Sequence, residues 1–403
     1  MERSRHQDHE PARVVVAGGG VAGLETLVAL RSLTGAATAL TLVSPEDDFT
    51  LRALDVFEPF GLGTPRRYPL AELAADLGAR RQRDAVERVD ADDRALHLRS
   101  GAVVEYDVLV LALGAFPYPA YEHGVCFDRA HEPTAFDDLL ADLRAELAGH
   151  VAIVIPPGIA WTLPGYELAL MVAALDGGGR PDTPRVTLIT PEHEPLSAFG
   201  PPASAMVREE LASAGVELLT GASAHVPSDT IVRIAGTRWL RCDRVVHLPL
   251  LAGPSVDGVP CDAGGFMLVD DRFRVIGEDA VFAVGDGAAG PYKQGGLAAQ
   301  QADVAAGQIA ELIGADRVGR PYLPVLRGLL RTSHGPRYLR AEPPGGARSA
   351  EVSEQCLWWP PSKVASRWLT PWLAARDLEG RPAPAAHRLP SGGISRVADS
   401  PRP

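Results

Sequence analysis

The stretch RVVVAGGGVAGLE, residues 13–25, decides the fold of this chain. Its apolar half is typical of a buried strand, and the glycines after it are typical of a tight turn that leads into a helix. Gly18 permits the turn, Gly20 lets backbone approach a pyrophosphate, and Gly23 lets the helix pack on the strand. Such a helix points its N–H groups and positive dipole end at phosphates. The predicted nucleotide contacts in this stretch are Gly18, Gly20, Val21, Ala22 and Gly23.

A second glycine-and-acid motif, DAVFAVGDGA at residues 279–288, narrows the nucleotide to a flavin. It is another apolar strand, and it ends in a turn of small residues that contains Gly285 and one carboxylate, Asp286. A plain NAD dehydrogenase has no need of this motif, whereas the polyol chain of a flavin has hydroxyls that require an acceptor. The two motifs together predict FAD, with Gly285 and Asp286 among its contacts.

Two further segments carry predicted contacts with the same cofactor. Ser44 stands where the second strand of a dinucleotide fold usually ends in a ribose-binding acid, and Glu46 follows two residues later. The segment KQGGLAAQQ, residues 293–301, places glycines at a helix start, which lets backbone approach the flavin. Lys293 is a candidate for a fixed charge at the flavin edge, with an exposed, solvated lysine as the alternative. The predicted contacts in this segment are Gln294, Gly295 and Gly296.

These motifs resemble those of the pyridine nucleotide-disulfide oxidoreductase superfamily, the flavoproteins with two dinucleotide folds. The sequence looks closest to the branch that contains sulfide:quinone oxidoreductases and type II NADH dehydrogenases. A third element, YDVLVLALGA at residues 106–115, resembles the strand that returns to the flavin domain, with Leu113 where threonine is usual. The resemblance extends over residues 13–313 and implies further flavin contacts at Ala112 and Gly114.

An internal duplication predicts the domain organisation. The segment LTLVSPE, residues 40–46, recurs as VTLITPE, residues 186–192, and each follows a strand, a turn and a helix. We therefore expect an α/β fold with two tandem Rossmann-like three-layer domains, the second inserted in the first, and a C-terminal cap. The predicted divisions are a disordered lead at 1–12, the FAD domain at 13–118 and 251–315, the second domain at 119–250, a C-terminal region at 316–379 and a disordered tail at 380–403.

The second glycine loop, PPGIAWTLPGYEL at residues 156–168, departs from a nucleotide-binding turn. Its prolines remove amide donors, and Trp161 stands where backbone would meet a pyrophosphate. The loop resembles the helix start at this place in sulfide:quinone oxidoreductases, whose second fold also lacks nucleotide. Glu167 is a catalytic candidate facing the flavin or donor pocket, or else an acid that favours a helix N-terminus. Atypical NAD(P)H binding through Gly158 and Glu192 remains the alternative.

The four cysteines do not form a redox-active pair. Residues 40–60, where disulfide reductases of this superfamily carry such a pair, contain none. Cys126 and Cys356 are the candidates for a thiol at the flavin, and buried structural thiols are the alternative. Cys242 and Cys261 flank strand-like runs and are expected to be structural. No metal site is predicted.

The C-terminal region contains LWWPPSKV, residues 357–364, followed by an apolar pattern that predicts a helix from Val364 to Leu373. Ser362 is its expected N-cap and Pro371 is expected to kink it. One interpretation is an amphipathic helix in contact with a membrane. The other is a lid or a homodimer surface packed on the flavin domain.

Composition limits the classes of partner. The net charge of −12 argues against nucleic acid, and no apolar run reaches the about 20 residues needed to span a bilayer. With few, scattered cysteines, a cytoplasmic location is the default. We therefore predict an FAD-dependent oxidoreductase that passes two electrons from a small-molecule donor to an acceptor such as a quinone. The alternatives are an NAD(P)H dehydrogenase and a non-catalytic flavin-binding protein.

Overall fold

The computed structural model describes residues 10–128, 134–175, 184–315, 319–343 and 350–379. Most of the predicted lead, and the whole of the predicted tail at 380–403, lie outside the described residues. The first strand already begins at Ala12. The domain divisions given above are kept as a proposal.

Long helices follow the two glycine loops and the second flavin motif. The helices of the described residues are α1 (Val21–Thr34), α2 (Leu70–Asp76), α3 (Ala135–Arg144), α4 (Leu163–Ala173), α5 (Pro201–Ser213), α6 (Gly295–Leu312) and α7 (Leu369–Glu379). Both α1 and α4 are buried on nearly all sides. A helix that is apolar all round belongs in an interior, which is where the three-layer arrangement puts them.

Short strands connect these helices. The strands are β1 (Ala12–Ala17), β2 (Thr38–Val43), β3 (Asp48–Thr50), β4 (Arg67–Pro69), β5 (Arg80–Gln82), β6 (Val86–Asp90), β7 (Ala95–Leu98), β8 (Val103–Glu105), β9 (Val108–Leu111), β10 (Phe116–Tyr118), β11 (Val125–Cys126), β12 (His150–Val154), β13 (Arg185–Ile189), β14 (Glu217–Leu219), β15 (Ala224–Ser228), β16 (Ile231–Ile234), β17 (Arg238–Arg241), β18 (Arg244–His247), β19 (Leu250–Ala252), β20 (Val281–Ala283), β21 (Leu326–Thr332), β22 (Gly335–Ala341) and β23 (Glu351–Ser353).

Two parallel five-stranded sheets form the framework. The first has the order β20-β9-β1-β2-β5 and the second the order β11-β18-β12-β13-β14. The chain leaves the first sheet after β9 and returns to it as β20, so the second sheet is inserted in the first unit. The predicted α/β fold with two tandem Rossmann-like units is confirmed.

Antiparallel sheets complete each unit and the C-terminal region. A three-stranded sheet, β6-β7-β8, accompanies the first parallel sheet, and β15-β16-β17 accompanies the second, so the duplication extends to these hairpins. The strands β10 and β19 pair where the chain passes between the units. The sheet β21-β22-β23 covers the second unit, with Leu326, Leu330 and Leu339 in its core.

The C-terminal helix differs from the prediction in its start and in its exposed face. It begins at Leu369, and the expected kink is absent because Pro371 lies in the first turn, where a missing N–H costs nothing. The Ser362 hydroxyl donates to the Val364 carbonyl and caps no helix. Trp372 is only 6% exposed and packs in the core of the flavin unit. The apolar face assigned to a membrane is therefore covered by protein.

Candidate functional site

The first glycine loop is shaped by two close backbone approaches. Gly18 has φ of +119°, and a Cβ there would lie 2.1 Å from the Ala112 carbonyl oxygen. A Cβ at Gly23 would lie 1.9 Å from the Gly18 carbonyl oxygen. Side chains at these two positions are excluded by the protein itself. The loop therefore brings the ends of β1 and β9 and the start of α1 into one tight unit, as predicted.

Gly20 has a different environment. It is the N-cap of α1, it is exposed, and a Cβ there would meet nothing within 4 Å. Gly114, at the end of the neighbouring strand, has φ of +71° and the same open space. The two glycines leave open space, here called the cradle, and α1 begins beside Gly20 with backbone N–H groups of the kind that bind a pyrophosphate. This cradle fits the predicted cofactor.

Ser44 and Glu46 lie beside this loop at the end of β2. The Ser44 hydroxyl is buried and donates to the Glu46 carboxylate at 2.5 Å. The Arg81 guanidinium donates to the Ser44 carbonyl oxygen at 2.8 Å and also bonds the Glu46 carbonyl. Glu46 is exposed, so its carboxylate is held by Ser44 at the edge of the loop. The two residues form one polar group at the expected ribose position.

The second motif ends next to Gly114. A Cβ at Gly287 would lie 2.7 Å from the Gly114 carbonyl oxygen, so the Asp286 turn and the third matching strand are in contact. The Gly285 N–H donates to the Gln301 side chain at 2.7 Å, which fixes the turn against α6. Burial raises the pKa of Asp286, while the nearby Lys293 lowers it. The Asp286 turn therefore lies beside Gly114, one of the two glycines that border the cradle.

Lys293 is buried, so the interpretation as an exposed lysine is wrong. The residue is 6% exposed. Its ammonium donates to the Ala288 carbonyl and lies 4.0 Å from the centre of the Phe266 ring. Burial lowers its pKa, and Asp286 opposes that change. Lys293 therefore stabilises the turn that contains Asp286, through its hydrogen bond to Ala288 and through its charge.

The start of α6 joins the flavin unit to the C-terminal region. The Gln294 side chain accepts the Leu297 N–H at 2.9 Å and donates to the Arg327 carbonyl oxygen at 2.8 Å. A Cβ at Gly295 would lie 2.9 Å from the Val364 side chain, and one at Gly296 would lie 3.0 Å from the Gln294 side chain. These predicted flavin contacts therefore also anchor the cap region.

Glu167 forms a buried ion pair that the sequence did not predict. Its carboxylate lies 2.5 Å from the Lys363 ammonium, with side-chain exposures of 0% and 6%. The other carboxylate oxygen has no hydrogen-bond partner among the described residues. Burial raises the pKa of Glu167 and lowers that of Lys363, although each opposes the change in the other. A pair with opposed shifts and one unsatisfied oxygen is suited to holding a proton.

Aromatic and cationic side chains connect this pair to the surface. Lys363 lies 4.1 Å and Arg331 4.8 Å from the Phe57 ring centre. Arg331 also lines a cavity of about 290 Å³ at the outer face of the C-terminal sheet. The residues lining that cavity are Leu329, Arg331, Thr332, Gly335, Pro336, Tyr338 and Pro361. Sequence reasoning missed this cluster because its members lie far apart in the chain.

In the second unit, Glu192 stands at the position of a ribose-binding acid, and its carboxylate is hydrogen-bonded to other residues of the protein. The Tyr166 hydroxyl donates to the Glu192 carboxylate at 2.6 Å, and the Ser197 N–H donates to it at 3.2 Å. Trp161 packs against Phe199 with ring centres 5.7 Å apart. Burial raises the pKa of Tyr166 far above its usual value. The carboxylate that would bind a nucleotide ribose here already has donors.

The two candidate cysteines lie in different surroundings. Cys126 is in β11, is 6% exposed, and stands beside His247 of β18 in the sheet register. Cys356 is exposed after β23, where its thiol donates to the Trp358 carbonyl. Neither is in a disulfide. Within the described residues, no group of three or more metal-ligating side chains is found.

Comparison with known proteins defines the class. The family model described as pyridine nucleotide-disulphide oxidoreductase matches residues 72–308. The chain belongs to this family, and it is an FAD-dependent oxidoreductase. The class rests on this match, which includes the whole of the second unit and the motif at residues 279–288.

Individual relatives come from two branches. An NADH dehydrogenase-like protein of Mycobacterium tuberculosis is 30% identical over 299 residues, 69% of this chain and 73% of the relative. The sulfide-quinone reductase of Aquifex aeolicus is 30% identical over 169 residues, 40% of this chain and 38% of the relative.

Solved structures give the same result for the fold. The sulfide:quinone oxidoreductase of Aquifex aeolicus has a TM-score of 0.74 at 23% identity, with 85% of this chain and 87% of that chain covered. NDH2 from Plasmodium falciparum has a TM-score of 0.66 at 12% identity, with 86% and 92% covered. Within the described residues, no helix has the length and apolar composition that crossing a bilayer requires.

Proposed function

We propose that this protein passes two electrons from a small donor to a quinone, and that the quinone is reduced beside Glu167 and Lys363. The observation that carries the proposal is the buried pair, with its raised pKa at Glu167 and its unsatisfied carboxylate oxygen. Conversion of a quinone to a quinol consumes two electrons and two protons. A site for this reaction therefore needs a group that holds a proton in a dry environment, and the pair provides one.

FAD would carry the electrons, and residues of this chain would hold it. FAD, when bound, supplies two-electron transfer between donor and acceptor. Gly20 and Gly114 would leave room for its pyrophosphate, and α1 would face that group with its N-terminus. Ser44 with Glu46 would accept from the adenine-side ribose, and Asp286 would accept from the ribityl hydroxyls.

The cavity in the C-terminal sheet supports an acceptor that enters from outside. Its wall reaches Arg331, which shares the Phe57 ring with Lys363. Flat aromatic rings stack favourably on such cation-bearing and aromatic side chains. In this proposal Arg331 orients the quinone ring, the buried Phe57 holds Arg331 and Lys363 in place, and Lys363 positions the proton-bearing Glu167 carboxyl. Each proton that leaves Glu167 is replaced from solvent through the cavity.

A single-turnover experiment tests the proposal. The FAD-loaded protein is reduced anaerobically with dithionite and mixed with a short-chain ubiquinone or menadione in a stopped-flow instrument. We expect saturable reoxidation in the wild type and a loss of roughly a hundredfold in Glu167→Gln. Glu217→Gln is the matched control, because Glu217 lies on the edge strand β14 and pairs with Arg185 and Arg238, none of which lines the cavity.

Two outcomes would contradict the proposal. Equal reoxidation rates in the wild type and in Glu167→Gln would remove the carboxyl from the reaction. Reoxidation by oxygen but by no quinone would exclude a quinone acceptor. Family membership already favours an enzyme over a non-catalytic flavin-binding protein.

NAD(P)H as the donor is the second candidate. The NADH dehydrogenase-like relative favours it, whereas the Tyr166–Glu192 hydrogen bond and the Trp161 packing argue against it. We expect slow, weakly saturable flavin reduction by NADH and NADPH. Stopped-flow reduction with both nucleotides, and with sulfide for comparison, measures this. Rapid saturation at micromolar nucleotide would make the dehydrogenase the better description.

Peripheral membrane contact and self-association complete the proposal. Since α7 has its apolar face covered, we assign membrane contact to the loop around Trp359, which is 81% exposed. Liposome flotation of the wild type against Trp359→Ser tests this contact. Light scattering of the same samples tests for a homodimer. We propose a cytoplasmic location, with binding to the cytoplasmic face of the membrane.

A further inference from the structure

A buried acid on the flavin-binding helix holds the N-terminus of the last helix. Glu25 lies on α1, two residues after Gly23, and is fully buried. Its carboxylate accepts the backbone N–H groups of Arg367 and Trp368, both at 3.0 Å, and of Leu369 at 2.6 Å. These amides lie at the N-terminus of α7. The side chain that caps this helix, Glu25, is therefore more than 340 residues away from it in the sequence.

A second acid, on helix α6, binds the same segment before α7. Asp303 of α6 accepts from the Arg367 guanidinium at 3.1 Å and from the Trp368 indole at 2.8 Å. The N-terminus of α1 faces the pyrophosphate cradle, and that of α6 carries Gln294 and Gly295. One clamp of two carboxylates therefore ties the C-terminal chain to both helices that face the cofactor.

Arg367, the first residue that the clamp holds, follows Lys363 of the proposed proton-handling pair by four residues. Residues 362–379, the C-terminal strap, run from the Lys363 region into α7. Next to Lys363, Val364 packs against the start of α6 at Gly295. Lys363 reaches the buried Glu167 only if this backbone is held close to α6. Desolvation of a lysine is costly, so without a fixed backbone its ammonium would move to water.

We propose that Glu25 is a positioning residue for the acceptor reaction, because it holds the strap so that Lys363 stays against Glu167. This inference rests on the proposed function for its kinetic consequence. Its structural consequence, that the burial of Lys363 depends on Glu25, is independent of which acceptor is used.

Lysine labelling tests the structural half. The chain contains two lysines, Lys293 and Lys363, and both are buried, at 6% and 8% exposure. FAD-loaded protein is treated with an amine-acylating reagent, and the extent of labelling is read by mass spectrometry. In Glu25→Gln we expect Lys363 to react roughly tenfold faster or more, while Lys293 stays protected as an internal control. Glu217→Gln, which breaks ion pairs on the edge strand β14, is expected to leave both lysines protected.

Reoxidation of the reduced flavin by quinone tests the kinetic half. In Glu25→Gln we expect a loss of roughly tenfold, with the rate of flavin reduction by dithionite unchanged. In a Glu167→Gln/Lys363→Met background, the same substitution should add no further loss, since Glu25 acts through that pair. A merely structural role would add its cost in both backgrounds.

The results separate this inference from the proposed function. Protection of Lys363 in Glu25→Gln, or an additive kinetic loss in the double background, would overturn the inference. Exposure of Lys363 together with wild-type reoxidation would also overturn it. A wild type that reduces no quinone refutes the proposed function. The labelling experiment then still tests whether the burial of Lys363 depends on Glu25. If Glu25→Gln does not fold, Asp303→Asn weakens the same clamp and must change Lys363 labelling in the same direction.

Discussion

At the scale of single residues, the first glycine loop shows two different reasons for having no side chain. Gly18 and Gly23 face their own backbone, so a Cβ at either position would overlap it. Gly20 faces open space, and no contact with the protein excludes a Cβ there. Glycine is a favoured N-cap, and a bound pyrophosphate would be a second reason for it, so this position can test the cofactor.

Gly20→Val should therefore abolish FAD binding without unfolding the protein. A Cβ at this position has no protein atom within 4 Å, and a valine side chain there would occupy space that the pyrophosphate needs. Flavin content after purification and the circular dichroism spectrum measure the two effects. Gly149→Val is the control, since Gly149 is an exposed glycine of the second unit whose nearest Cβ contact would be 3.9 Å. Full flavin content in Gly20→Val would move the site elsewhere.

Glu167 should give the acceptor reaction a dependence on pH. Burial raises its pKa, so the carboxyl keeps its proton to higher pH than an exposed glutamic acid would. A proton donor works only while protonated, so reoxidation by quinone should slow as pH rises through the pKa of Glu167. Glu167→Gln should lack this fall. The facing charges, Lys363 and Arg331, favour the ionised form and set where the fall occurs.

The cysteines should matter for packing and not for flavin chemistry. We expect Cys126→Ser to lower the free energy of unfolding by about 1 kcal/mol, because a hydroxyl replaces a thiol in a buried strand. Cys356→Ser should have no measurable effect, since the thiol is exposed. Denaturant unfolding and flavin kinetics are measured separately. Loss of flavin reduction in a folded, FAD-loaded variant would assign that thiol a role at the flavin.

At the scale of elements, the last helix shows where local sequence signals stop being informative. The apolar spacing from Val364 predicts the presence of a helix, but its start depends on Glu25, which no local pattern contains. The Ser366 hydroxyl accepts the Thr370 N–H at 2.8 Å, so a local cap is present as well. Ser362 was the wrong candidate because its hydroxyl bonds the backbone of Val364.

Glu25 should make stability depend on pH. Burial raises its pKa from 4.5 to about 7, although the amides of the clamp oppose this change. The folded state then holds a proton that the unfolded state releases, so the free energy of unfolding falls as pH rises from 4.5 to 7. The full shift corresponds to roughly 3 kcal/mol. The carboxylate of Asp303 faces the same segment and raises the pKa further.

Urea unfolding at pH 5 and at pH 8 measures this effect. Glu25→Gln should lose the part of the slope that belongs to Glu25. Glu210→Gln should leave the difference between pH 5 and pH 8 almost unchanged. Burial opposes the change, but the contacts with His334, Thr332 and Arg337 hold the pKa of Glu210 below its usual value, so its contribution to stability varies mainly below pH 5. An identical slope in the wild type and in Glu25→Gln would show that this carboxyl titrates alike in the folded and unfolded states.

At the scale of the whole molecule, the sequence predicts the framework and misses the contacts between its parts. The tandem units follow from the duplicated strand ends and from glycines whose backbone demands are local. The Glu167–Lys363 pair spans 196 residues, and no periodicity or spacing connects its members. The Tyr166–Glu192 contact was also hidden, although both residues lie in recognised motifs. Side-chain pairing across elements depends on packing that a single sequence does not encode locally.

The long sequence separation within the clamp has a consequence for biosynthesis. Ribosomes add about 5–20 residues per second, so roughly twenty seconds to a minute separate the synthesis of Glu25 from that of its amide partners. During that interval Glu25 lacks the backbone N–H groups that it accepts in the finished protein, and for most of it β20 has not been synthesised. Completion of the cofactor site is therefore a late event. Ribosome-bound chains stalled before residue 360 should acquire FAD poorly, whereas released chains should acquire it readily.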